Sequence, residues 1–238
     1  MLASEVVRNS DPLMLQLRDQ TRVAHAAAER SEYARAILGQ RLTPAAYETQ
    51  LAAYREIYAA LERALATTPT VCVAEVWRPQ MAKLSHLELD LHQLRRMWGL
   101  DDGGPHRANA AAIARSLTES VFAWLGHAPH ALLGPLYVLE GSTLGARILR
   151  PHVLAALGLE SQGANYFNAC VEHGESNWKQ FKTRMNGVAL DADQRRQVVE
   201  AAKRTFESLT SLFDAISPLL AEKSSQPAAP RRVDRDLT

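Results

Sequence analysis

The chain has 238 residues, 47% hydrophobic and 22% charged, with 12 Gly and 11 Pro, the profile of one globular domain able to bury a sizeable core. Lys plus Arg number 27 against 26 Asp plus Glu, so there is no basic surplus to suggest a nucleic-acid or membrane-surface partner. The separation of Cys72 from Cys170 argues against a disulfide framework and a metal or redox motif, and Glu5, Arg8 and Asp11 interrupt any N-terminal signal or span, so a cytoplasmic protein is expected.

Apolar residues recur at helical spacing along the chain and nowhere alternate for long, which predicts an all-α single domain over residues 10–221. Ser10-Asp11-Pro12 is a helix-start signal, and the first helix is expected to run to about Ala36. Thr43-Pro44 repeats that signal before Tyr47, Leu51, Tyr54, Tyr58, Leu61 and Leu65, the buried stripe of a second long helix. Shorter helices are expected over 86–98 and about 107–125, then long ones to about Leu157 and over 163–185, the latter with a possible interruption at Gly174. Asp191 should cap a last helix whose stripe reads Val198, Ala202, Phe206, Leu209, Phe213, Ile216 and Leu220. From Glu222 onward Ser, Pro, Ala and charges predict a disordered tail.

Two constellations can carry chemistry. Arg18, Arg22, His25 and Glu29 are spaced four, three and four apart and share one stripe of the first helix. That stripe reads either as a solvated polar face or as an iron-ligating imidazole oriented by a carboxylate one turn on, with arginines for a ligand's acid groups. Gly134, Gly141 and Gly145 share a face of a helical segment in which each glycine costs about 0.5–1 kcal/mol relative to alanine. Either a neighbouring helix or something flat must approach that face closely, and Ser142 and Thr143 beside it offer hydroxyls that can hold water. His86, Glu88, Asp90 and His92 read as exposed charged surface. The Glu-x-x-His pattern of di-iron bundles, the GxSxG elbow, the P-loop and the dinucleotide fingerprint are all absent.

Three stretches resemble the haem oxygenase family. LRDQTRVAHAAAERSEYARAIL is similar to its proximal helix, which implies His25 as the haem iron ligand and Glu29 as its support. LYVLEGSTLGARIL resembles the distal helix of bacterial members, which implies that Gly141 and Gly145 lie over the haem face with Ser142 in the distal pocket. FKTRMNGVALDADQRRQVVEAAKRTF is similar to a stretch that supplies a basic propionate contact and an aromatic residue near the macrocycle, here Lys182 and Phe206, and Arg18 matches a further propionate position. The sequence departs from the family pattern at Ala146, where a second distal glycine is usual, at Ser142, where animal enzymes have aspartate, and at Trp178, which replaces a lysine beside Lys179.

The resemblance implies that haem is both cofactor and substrate, opened with O₂ and external electrons to biliverdin, CO and Fe²⁺. An electron-donor protein, a reductase or ferredoxin, is then a partner, and a bilin-accepting protein a further one. The alternatives are a haem carrier or sensor without turnover, a thiaminase-like hydrolase using Cys170, and a purely structural helical module.

Overall fold

The computed structural model describes residues 12–99, 104–160 and 162–221, apart from the side chains of 173–175. The tail from residue 222 and the Ser10-Asp11 start signal lie outside the described residues. Among the described residues the fold is helical without strands: α1 (Leu13–Glu29), α2 (Glu32–Leu38), α3 (Pro44–Thr67), α4 (Val71–Val76), α5 (Leu84–Trp98), α6 (Pro105–His127), α7 (Leu133–Leu157), α8 (Asn165–Gly187) and α9 (Ala192–Ile216).

The expected first helix is two. Arg30 leaves helical geometry, and the Ser31 hydroxyl accepts a hydrogen bond from Ala34 N at 3.1 Å, starting a new helix inside a run of good helix formers. The turn matters because it brings Tyr33 and Ile37 of α2 to the wall of the cavity described below. α4 occupies a stretch for which no helix is expected from sequence, and α8 runs unbroken through Gly174.

The two capped starts behave as their sequences dictate. Thr43 accepts from Ala46 N with Pro44 in the first turn, and Asp191 forms a capping box with Gln194. All six stripe residues of α3 are buried, and so are Glu48, Thr49 and Gln50, because α5 and α6 cover other faces of this helix. Glu48 is fully buried and neutralised by Arg95 and Arg107, which ties α5 and α6 to α3. In α9 the stripe extends to Leu212, while Phe213 is only half-buried and Leu220 lies in the 3-10 turn that follows.

Asp90 corrects the reading of the α5 histidine and acid cluster as exposed surface. It has no exposed area, and its carboxylate accepts from Asn165 N at 2.7 Å, Asn165 Nδ2 at 2.7 Å and Tyr166 N at 2.8 Å. The residue preceding α8 is Ala164, which has no side-chain acceptor, so an acid from another helix satisfies the opening N–H groups of α8.

The three glycines of α7 divide by role. A Cβ on Gly134 would lie 2.5 Å from Val198 O, 2.7 Å from Ala202 N and 2.8 Å from Ala201 Cβ, so this glycine admits the α9 backbone. Gly134→Ala is therefore expected to force the helices apart at a cost of about 1–3 kcal/mol, seen as a lower Tm. An unchanged Tm would remove the packing role.

Candidate functional site

α1 and α7 both pack on α9, and a cavity of about 510 Å³ lies between them, closed by residues of α2, α3 and α8. Its volume is in the range of small-molecule and cofactor sites, and its walls are mostly aliphatic and aromatic. His25 and Glu29 line it from α1, Gly141, Ser142 and Gly145 from α7, and Phe206 from α9. Six of the residues singled out in sequence thus meet at one cavity.

The α1 side has the geometry of a prepared ligand. His25 Nδ1 lies 3.5 Å from a Glu29 carboxylate oxygen one turn on, and the ring meets Phe206 edge-on with centroids 5.4 Å apart. These contacts hold the ring from two sides and engage one nitrogen, so Nε2 is the atom left to bind a ligand. The imidazole is about half exposed, as an atom that must meet an incoming molecule requires.

On the α7 side, among apolar side chains and Tyr137, the backbone is bare at Gly141 and Gly145. A Cβ on Gly145 would touch nothing nearer than Leu149 Cδ1 at 4.0 Å, and one on Gly141 would sit 3.5 Å from the Trp178 ring. These two glycines face a space and an aromatic rim, unlike Gly134. The Ser142 hydroxyl lines the cavity and donates to Leu139 O at 2.7 Å, whereas Thr143 is buried, does not line the cavity, and donates to Glu140 O at 2.7 Å. Ser142 therefore presents acceptor lone pairs to a guest rather than a free proton.

The two propionate candidates lie outside the cavity lining. Arg18 is exposed and its Nε donates to Asp19 Oδ1 at 2.9 Å, yet it acts electrostatically on Tyr137, a cavity-wall residue hydrogen-bonded to Thr21. Burial holds the Tyr137 phenol above its ordinary range, with Thr21 and Arg18 acting against the shift. Lys182 and Lys179 are exposed on α8. Trp178, on the same helix and in the cavity wall, stacks on Phe181 with centroids 5.3 Å apart and meets Tyr137 at 6.2 Å.

Sequence reading missed the tyrosines of the wall. Tyr54 counted only as core, and Tyr33, Tyr137 and Tyr166 carried no signal, since an aromatic at helical spacing looks the same whether it faces a neighbour or a ligand. Cys170 is not a nucleophile: it is buried, outside the cavity, and burial pushes its thiol up to about 12.

The chain is similar to known proteins over most of its length. The family model for Heme oxygenase matches residues 11–215. Heme oxygenase 1 of Rattus norvegicus is 24% identical over 222 residues, covering 90% of this chain and 74% of the relative, and that of Pongo abelii is 25% identical over 223 residues, with 90% and 75% covered. Among solved structures, heme oxygenase-1 from the cyanobacterium Synechocystis in complex with heme superposes with a TM-score of 0.76 at 19% identity, covering 88% of this chain and 94% of that one. Heme oxygenase from Leptospira interrogans gives 0.74 at 20% identity, covering 85% and 98%. With a family model spanning most of its length and a helical fold shared with solved members, the chain belongs to the heme oxygenase family.

Proposed function

We propose that this protein holds haem between α1 and α7, with His25 on the iron, and opens the macrocycle with O₂ and external electrons to biliverdin, CO and Fe²⁺. The observation that carries the reading is one cavity lined by a carboxylate-supported imidazole on α1 and by two glycines on α7, Gly145 with nothing nearer than 4.0 Å before it and Gly141 against the Trp178 ring. Haem fits these residues: apolar walls take the macrocycle, Nε2 takes the metal, and bare backbone admits a flat face. The cyanobacterial protein solved in complex with heme supports the same assignment through the shared fold, and the site residues rest on the geometry.

Haem, as the substrate, supplies the iron at which O₂ is bound and reduced. The chain's own residues do the rest. Glu29 keeps the imidazole turned toward the cavity. Gly141 and Gly145 leave room on the α7 side while the walls exclude bulk water, and Ser142 offers lone pairs that hold water beside the reacting oxygen. No strong acid–base side chain stands on the α7 wall, which suits ring attack over heterolytic O–O cleavage. Arg18 and Lys182 receive the propionates at the mouth, an external reductase or ferredoxin docks near the exposed haem edge, and the product leaves to a bilin-accepting protein. A cytoplasmic location belongs to the same proposal, in keeping with free thiols at Cys72 and Cys170.

The test is to add haemin to the purified protein, then a reductase and NADPH, and to follow the visible spectrum. Replacement of the Soret band by a broad bilin band is the expected result. A haem complex that persists unchanged would make the protein a carrier or sensor. Arg18→Ala with Lys182→Ala is expected to change the bilin isomer ratio more than haem affinity, because the cations set in-plane rotation while the walls supply the binding. Chromatography of the products checks this, and a single unaltered isomer would count against both contacts.

A further inference from the structure

The cavity lining carries a second polar group besides the half-exposed His25 and Glu29. Tyr33 of α2 and Gln50 and Tyr54 of α3 line the same space, and none of the three is more than 5% exposed. Their positions are fixed. The Tyr33 hydroxyl donates to Gln50 Oε1 at 2.7 Å, its ring stacks on Phe213 with centroids 5.3 Å apart, and the Tyr54 ring meets Tyr166 edge-on at 5.9 Å. Dehydrating a carboxamide and two phenols is costly unless each finds a partner, and an apolar macrocycle needs none of them.

Tyr33 has its acceptor, which leaves Gln50 and Tyr54. The Gln50 amide acts on the Tyr54 phenol against the burial that pushes it up to about 12, as an N–H given to the phenol oxygen does. The Tyr54 hydrogen and the second amide hydrogen are left over, and among the described residues neither group is sealed away from the cavity. The buried wall thus offers donors to a guest. Arg18 and Lys182 are exposed and receive the propionates at the mouth, so the opposite edge of the macrocycle is the one that enters toward this wall. In haem that edge is methyl, vinyl and meso C–H, which accept nothing. Once the meso carbon has left as CO, the two ring carbons it joined each carry an oxygen, and the edge ends in two lactams.

We infer that Tyr54 and Gln50 form a subsite for the lactam oxygens of an open-chain tetrapyrrole, a feature of the product that the substrate lacks. The inference rests on the haem oxygenase reading. Tyr54 donates its hydroxyl hydrogen and Gln50 an amide N–H to those oxygens, and Tyr33 holds the carboxamide in place by occupying its oxygen. The subsite retains the product after opening, which gives a bilin-accepting protein something to do. It also favours the product opened at the carbon opposite the propionates, because only that edge meets the donors.

The experiment titrates the apoprotein separately with haemin and with biliverdin opened opposite the propionates, for the unaltered chain, Tyr54→Phe and Gln50→Leu. Both variants are expected to weaken biliverdin about 10-fold relative to haemin, the scale of one lost hydrogen bond to a buried group. The infrared lactam carbonyl band of bound biliverdin should move to higher frequency in both, as it does when a donor is lost. Gln50→Leu also strips Tyr33 of its acceptor and can lower Tm, whereas Tyr54→Phe keeps the ring against Tyr166 and serves as the clean variant. An unchanged ratio of affinities with an unshifted lactam band in Tyr54→Phe would overturn the inference, and so would an unaltered protein that does not take up biliverdin. These readouts need no turnover. A protein that shows the Tyr54-dependent lactam shift and yet makes no bilin from haem with a reductase would keep the subsite and lose the functional reading.

Discussion

His25→Ala is expected to abolish most turnover, by more than about 100-fold, while the protein still takes up haem in altered form. Outer-shell partners of a metal ligand already cost 10–100-fold when removed, so loss of the ligand itself must cost more. The cavity's walls remain, because His25 is half exposed and meets Phe206 edge-on. Stability should therefore change little, and added imidazole, which carries the missing nitrogen, should restore part of the spectrum and rate. Visible spectra with and without imidazole, and the rate of bilin formation, check the prediction. A variant with an unchanged ferric spectrum and full bilin yield would remove His25 from the iron.

The second large effect concerns Gly145→Leu. A Cβ there meets only Leu149 Cδ1 at 4.0 Å, so a longer side chain extends into the cavity without displacing backbone. Exchanging a helix glycine for leucine also relieves up to about 1 kcal/mol of helix cost, so Tm should hold or rise. The reaction should suffer instead: the side chain occupies the space above the haem face where O₂ must bend toward the ring, and bilin yield per bound haem should fall about 100-fold or more, the scale of a misplaced reacting group. The His25 spectrum should stay. The pairing of rising stability with falling yield is the diagnostic, since a glycine needed only for packing gives the reverse. Gly134 supplies that contrast within the same helix, its Cβ position lying 2.5 Å from Val198 O. A destabilised Gly145→Leu that made biliverdin at the normal rate per haem would defeat the role given to this face.

Much of this was legible from local spacing. A helix capped by Thr43 and another by Asp191 follow from side chains that reach a backbone N–H three residues on, a contact internal to one short segment. The His25 and Glu29 pair is of the same kind, because residues four apart on a helix are neighbours whatever the helix packs against. The break at Ser31 was not legible, since Arg30, Ser31 and Glu32 differ little from a mid-helix run, and one serine hydroxyl decides the change of direction.

By itself, then, the sequence determined that the chain is helical, where its best-capped helices begin, and which residues share a stripe, since these depend on bonds and sterics within a few residues. Tertiary structure alone decided what each stripe faces. Asp90 looked like surface and caps a distant helix, Gly134 looked like Gly141 and Gly145 and admits a backbone, and Glu140 looked like any helix glutamate and is buried. The physical reason is that helical periodicity specifies an angle about a helix's own axis, whereas burial, field and proton affinity depend on which other helix occupies that direction.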